Sequence, residues 1–418
     1  MTEAPSRVAA VLPRAWLDYG RLYFARILGQ VIGTLLTILS ARVLLPAGRG
    51  EFATLSAAAV LGAQALNLGL SSSLAVLFSR RPSRIGRYRV HLAWLALGWA
   101  LVVGTLGAAQ LLAREAGPLA GWPLLAAWVP LQLLGLYQGA AMVALQDAKW
   151  LSRIELLGRC CALVLGSASL LVFGSALAPF VAAVVAGDAV IAILGGGRLA
   201  RISRVRPART RRAVHFFRSA FRMGLRAYPP LVLFFLLVKS DILLLRLLRG
   251  PAETGVYSVA AQIVDVALIL PTTIGALSLA SVVRSPRPAA ELMRVLRPTA
   301  LLVFGLALGM LVLGRPVILL LFGRPFEGAY PALLVLLPGF VCLALQSVLG
   351  QYFAARGFPF VLTLYWAIGL VVNLALNLLL VPRHGFLAAA ASSSVAYALV
   401  FALLWRSFRR DDTGSVAR

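Results

Sequence analysis

Lys239 and Asp241 stand two residues apart in an otherwise unbroken apolar run, and Asp265 follows in the next one. An earlier run carries Arg26, Gln30, Thr34 and Thr37 at spacings of four, four and three, which puts all four on one helical face. Another carries Gln64, Asn67 and Ser71, and the run holding Asp265 also carries Ser258, Gln262 and Thr272. Polar and charged groups are expensive in apolar surroundings, so the uncharged ones serve either as hydrogen bonds between helices or as a wet face, while the charged ones call for water or a partner. The cations Arg26 and Lys239 suit charge-assisted hydrogen bonds to an anion, and the amides and hydroxyls suit neutral polar partners. Asp241 and Asp265, with Asp188 as a weaker candidate, suit a proton or Na+.

The elements that must position these groups are membrane spans. Of the 418 residues, 61% are hydrophobic and 13% charged, with a mean hydropathy of +0.89. A soluble domain carries about 25% charged residues. Runs of about 20 apolar residues select helices over a closed barrel. The fold expected is therefore an all-α polytopic membrane protein of about twelve transmembrane helices. The predicted spans are 22–45, 52–78, 88–112, 122–146, 154–174, 177–197, 227–248, 255–283, 298–322, 330–353, 359–381 and 386–406.

Basic residues test this count. Placing alternate loops on one side collects 27 Lys and Arg there, against six on the other side and seven within spans. Such asymmetry orients both termini and the basic loops to the cytoplasm of a cytoplasmic (inner) membrane protein. Ten of the 27 lie between Arg198 and Arg226, where there is no acid. The formal charge of +26 is thereby explained by loops facing anionic lipid, and no nucleic-acid partner is expected. On a helical wheel Arg211, Arg218, Arg222 and Arg226 form one face and Val214, Phe217, Phe221 and Leu225 another, so this helix should lie along the cytoplasmic interface.

The basic stretch also divides two similar halves. Pro46-Ala47-Gly48-Arg49-Gly50-Glu51-Phe52 and Pro251-Ala252-Glu253-Thr254-Gly255-Val256-Tyr257 align at an offset of 205 residues, at equivalent span boundaries. Six spans per half is even, which makes a parallel repeat. The expected organisation is an N-terminal lobe over 1–197, a linker with an interfacial helix over 198–226 and a C-terminal lobe over 227–418. The wet spans are 1, 2, 7 and 8, two from each half, as a cavity between two lobes requires. The substrate-binding candidates are Arg26, Gln30, Thr34, Gln64, Asn67, Lys239 and Gln262. Arg42 and Arg246, near span ends, are expected to snorkel to the interface.

Several chemistries lack their residues. There is no GxxxxGK[ST] phosphate loop, no HExxH and no GxSxG. Cys160, Cys161 and Cys342 show no CxxC or ligand-like spacing and read as small packing residues, so no metal or cofactor site is expected beyond a coupling H+ or Na+. No catalytic residue stands out, and no signal peptide is expected.

"ARVLLPAGRGEFATLSAA" (Ala41 to Ala58), "KSDILLLRLLRGPAETGVYSVAAQ" (Lys239 to Gln262), "GRPVILLLFGRPFEGAYPALLVLLPG" (Gly314 to Gly339) and "VPRHGFLAAAASS" (Val381 to Ser393) extend the picture. They resemble the corresponding stretches of polysaccharide and lipid-linked-oligosaccharide flippases, O-antigen type, of the multidrug/oligosaccharidyl-lipid/polysaccharide (MOP) superfamily. The resemblance implies two six-helix bundles in a V, MATE-like, around a cavity from spans 1, 2, 7 and 8. It implies a transporter, not an enzyme, moving a polyprenyl-diphosphate-linked oligosaccharide for surface polysaccharide such as lipopolysaccharide. Anionic membrane lipids and a polysaccharide polymerase or other assembly protein are the further partners expected. The alternatives are a multidrug or small-solute antiporter of the same superfamily, and a membrane enzyme or scaffold of envelope glycan assembly.

Overall fold

The computed structural model describes the backbone of residues 6–81, 83–112, 122–202, 210–225, 228–357 and 359–416. Within these stretches the side chains of residues 6–27, 83, 104–112, 122, 148, 210, 280 and 412–416 are not among the described ones. Thirteen α-helices and one short 3-10 turn, Arg324–Phe326, account for nearly all of it, with no strand among the described residues. The first seven helices are α1 (Ser6–Asn67), α2 (Leu70–Arg80), α3 (Ser83–Leu112), α4 (Trp122–Ala144), α5 (Ala148–Phe173), α6 (Leu177–Ile202) and α7 (Thr210–Gly224). The rest are α8 (Tyr228–Arg249), α9 (Pro251–Ala267), α10 (Ile269–Arg284), α11 (Pro288–Leu321), α12 (Ala329–Ala355) and α13 (Phe360–Val416).

Eight described helical stretches are long and apolar enough to cross a membrane. Two of them, Leu28–Asn67 with 40 residues and Phe360–Asp411 with 52, are too long for one crossing. At about 1.5 Å per residue, 40 residues reach about 60 Å, twice the hydrocarbon thickness of about 30 Å. Each is broken once, at Leu45 (φ 57°, ψ 179°) and Gly385 (φ 59°, ψ −142°), and each supplies two spans. With the 30-residue α3 and the 22-residue α8 the polytopic helical fold expected from sequence is complete. The outward faces are apolar: Leu171 is 86% exposed, Phe360 80% and Leu301 77%, which suits lipid rather than water.

Two local expectations change. The turn predicted at 46–51 is helical, because Pro46 restarts the helix immediately after the break with its φ already set. Span 2, predicted as continuous, breaks at Leu68 (φ 49°) and Gly69 (φ 73°). There Asn67 Nδ2 donates to Ser71 Oγ at 2.8 Å and Asn67 Oδ1 accepts from Ser71 N at 3.1 Å, replacing bonds that the interrupted helix loses.

The chain forms two compact units, residues 1–37 with 62–226 and residues 38–61 with 227–418. Segment 38–61, assigned by sequence to the N-terminal lobe, thus packs with the C-terminal half. In the first unit α5 and α6 approach closely along small residues: a Cβ on Gly158 would fall 2.8 Å from Gly187 O, and one on Gly187 would fall 2.7 Å from Gly158 O. The second unit has two apolar clusters. One packs Ala41, Ala53 and Ala57 against Tyr257, Ala260, Phe326, Phe340 and Ala389. The other joins Leu237, Val282, Leu349, Tyr352, Trp366, Val400 and Phe408.

Helix α7 docks on α2 within the first unit. Ala213, Phe216 and Ala220 are buried, and Tyr88 stacks on Phe216 with ring centroids 3.9 Å apart. Gly224 and Gly69 come so close that a Cβ on either would lie 2.4 Å from the other's carbonyl oxygen. The helical wheel had missed this second apolar side, because it is built mostly from small residues. Val214 and Leu225, on the face expected to meet the membrane, are 62% and 46% exposed. The remaining arginines at 204, 206, 209 and 226 lie outside the described residues.

Candidate functional site

The sequence repeat has a structural counterpart. Leu45 (φ 57°, ψ 179°) and Gly250 (φ 88°, ψ 179°) are 205 residues apart and turn the chain the same way. Each is followed by Pro and a new helix, and in the second unit the two starts meet. A Cβ on Gly50 would fall 1.8 Å from Pro251 O, and a Cβ on Gly255 would fall 1.8 Å from Pro46 O. The contact is reciprocal, since Gly50 corresponds to Gly255 and Pro46 to Pro251. Only a residue without a side chain permits it.

This contact brings Glu51 to Arg246, whose Nη2 donates at 2.5 Å and Nε at 3.1 Å. Arg246 was expected to snorkel; it is instead an ion-pair partner, because an acid from a distant turn reaches it. Arg42 is exposed and donates to the carbonyls of Leu320 and Leu321 at the end of α11, where the helix has acceptors to spare. On the far side of the Pro251 turn, Glu253 accepts from Arg249 Nη2 at 2.8 Å and from the Phe386 backbone N at 3.2 Å.

Deeper in the same unit, Asp241 on α8 is 2% exposed. Its Oδ2 accepts from the Tyr257 hydroxyl on α9 and from Ser393 Oγ on α13 at 3.1 Å, and its Oδ1 accepts from Ile242 N at 2.7 Å. Ser393 Oγ accepts in turn from Asn373 Nδ2 at 3.3 Å, and Asn377 Nδ2 donates to Asn373 Oδ1 at 3.1 Å. Both asparagines are fully buried, and Asn377 Oδ1 has no hydrogen-bond donor. A carboxylate with amide and hydroxyl oxygens in a water-poor interior offers what a proton or a small hard cation needs. Three well-separated stretches of sequence build this cluster.

Lys239, one turn-fraction away on α8, faces elsewhere: its Nζ pairs with Asp265 Oδ2 at 2.8 Å, and the side chains are 21% and 31% exposed. Two of the predicted charges therefore hold each other, while Asp241 is wired to hydroxyls. Gln262 is half-buried on α9, and Ser258 Oγ donates back to Gly255 O at 2.8 Å.

The remaining candidates belong to the first unit. Gln30, Thr34 and Gln64 are half-buried, and Thr34 Oγ1 donates to Gln30 O at 2.9 Å. Asn67 bridges the break in span 2. The Arg26 side chain lies outside the described residues. Asp188 on α6 accepts from Trp128 Nε1 on α4 at 2.8 Å, apart from the Asp241 cluster in sequence and in unit. Tyr257, Ser393, Asn373 and Asn377 were absent from the predicted site. The Asn373–Asn377 pair was visible in the sequence at i, i+4, but nothing there connected it to Asp241.

No family model matches the sequence, and no curated protein matches it. Solved structures do match by fold. The Lipid II flippase MurJ in an inward closed conformation superposes with a TM-score of 0.73 at 13% identity, covering 95% of this chain and 90% of that one. An inward-facing multidrug resistance MATE family transporter of the MOP superfamily gives 0.73 at 12% identity, covering 92% and 95%. An outward-facing structure with the same description gives 0.67 at 14% identity, covering 96% of each chain. Over nearly its whole length, this chain has the fold shared by MurJ and the MATE transporters.

Proposed function

We propose that this protein is a secondary transporter of the cytoplasmic membrane, with both termini in the cytoplasm, that flips a polyprenyl-diphosphate-linked oligosaccharide by alternating access. The buried Asp241 cluster is the observation that carries the reading. A carboxylate wired to Tyr257, Ser393, Asn373 and Asn377 fits reversible loading by H+ or Na+ better than it fits mere packing, since an apolar core would need none of these groups. Arg26, Gln30, Thr34, Gln64, Asn67, Lys239 and Gln262 are the proposed substrate contacts. Lys239 would exchange Asp265 for a phosphoryl group, a partner of the same sign. The fold shared with a lipid flippase supports a lipid-linked substrate.

The test is flipping in proteoliposomes, read as the loss of outer-leaflet accessibility of a fluorescent prenyl-diphosphate disaccharide, with an imposed H+ or Na+ gradient. Flipping should follow one of the two gradients in the wild type and lose that dependence in Asp241→Asn. Flipping by Asp241→Asn that still follows the gradient would sink the coupling assignment, and no flipping by the wild type would sink the substrate. The equally good superposition on a MATE transporter favours one second reading, a multidrug antiporter. Gradient-driven extrusion of lipophilic cations without glycolipid flipping would establish it.

A further inference from the structure

Arg49 sits one residue before Gly50, in the first turn after the Leu45 break, and is only 4% exposed. Its guanidinium lies over the Phe52 ring, 5.3 Å from the centroid, while its buried Nε and Nη1 donate to no acceptor in the protein. The acids of the two turns and of α8 and α9 are engaged with other groups. Glu51 is held by Arg246 at 2.5 Å, Glu253 by Arg249 at 2.8 Å and Asp265 by Lys239 at 2.8 Å. Asp241 is occupied by Tyr257, Ser393 and its neighbouring backbone. A buried guanidinium with idle donors is costly unless an anion completes it.

We infer that Arg49 is an anion-binding residue that receives a phosphoryl group. The predicted spans leave it in the connection 46–51. The planar fork holds the charged Nε–H and Nη1–H donors in fixed directions for phosphate oxygens to accept. Because Arg49 adjoins the contact between the Pro46 and Pro251 turns, the anion engages it as that contact opens. The phosphoryl group is taken to be the diphosphate of the proposed substrate, so the inference rests on that reading for its ligand but not for the site.

The experiment uses the purified full chain in detergent with inorganic pyrophosphate as probe, and farnesyl diphosphate against farnesol as a lipid pair. Binding is followed by thermal shift and by equilibrium titration at fixed ionic strength. Wild type should bind pyrophosphate and prefer farnesyl diphosphate to farnesol. Losing these charge-assisted hydrogen bonds should weaken both anions roughly ten- to hundredfold in Arg49→Gln. Arg49→Lys, which keeps the charge and loses the fork, should fall between. Without ligand, Arg49→Gln should melt no lower than wild type, since it removes an unpaired buried charge, and this separates a lost site from a misfolded one. Wild-type affinity in both variants, or no pyrophosphate binding by the wild type, overturns the inference. Arg49-dependent pyrophosphate binding in a protein that flips no glycolipid would leave the site standing and remove the transport reading instead.

Discussion

Replacing Gly50 by Ala tests the reciprocal contact between the two repeat turns. The added Cβ would lie 1.8 Å from Pro251 O and 2.8 Å from Gly255 N, against a floor of 3.0 Å below which real Cβ contacts essentially do not occur. The shortfall is 3.0 minus 1.8, so the two helix starts must part by at least 1.2 Å. Both opposing atoms are backbone, and no side chain can rotate away. Overpacking of this kind costs about 1–3 kcal/mol. A cost of about 2 kcal/mol changes the ratio of joined to parted turns roughly thirtyfold. Gly255→Ala should act alike, since its Cβ would meet Pro46 O at the same 1.8 Å. One contact is opened either way, so the double variant should cost clearly less than the sum of the singles.

The assay is pulsed EPR between nitroxides at Ala47→Cys and Ala252→Cys, two exposed positions flanking the contact, in a background lacking Cys160, Cys161 and Cys342. Gly33→Ala and Gly305→Ala are the controls, because a Cβ there meets nothing within 4 Å. They should leave the distances unchanged and be neutral or stabilising by roughly 0.5–1 kcal/mol. Additive penalties from Gly50→Ala and Gly255→Ala, or distance distributions identical to wild type in both, would refute the reasoning.

Leu45 adopts φ 57°, ψ 179°, a conformation that its repeat counterpart satisfies with glycine. Leu45→Gly should therefore relieve strain of about 1–3 kcal/mol and raise the apparent melting temperature; a lower value would show that the side chain contributes more than the strain costs. The partly buried Lys239–Asp265 pair should give a coupling energy in a double-mutant cycle larger than the about 0.2–1 kcal/mol of exposed pairs. Coupling near zero in thermal unfolding would mean that water separates the two charges. On α7, Arg211, Arg218 and Arg222 flank the exposed Val214 and Leu225, so hydrogen exchange over 210–224 should be slower in nanodiscs with anionic lipid than in zwitterionic ones. Replacing the three arginines by Gln should abolish that difference, and its persistence would place the helix away from the headgroups.

Hydrophobic length and the asymmetry of Lys and Arg depend only on the order of residues, so the sequence alone determined a helical, many-span membrane protein with a repeat at an offset of 205. It also marked Lys239, Asp241 and Asp265 as misplaced in hydrocarbon, because the cost of a charge there needs no partner to be known. Which charges meet was a different matter. Lys239 pairs with Asp265 across 26 residues, while Asp241, two positions away, finds Ser393 across 152. No periodicity encodes such separations; they follow from how α8, α9 and α13 pack. Arg49 shows the difference most clearly. In the sequence it is a loop arginine like five others on its side, and only the tertiary structure buries it beside the close approach of Gly50 to Pro251 with two of its donors unanswered.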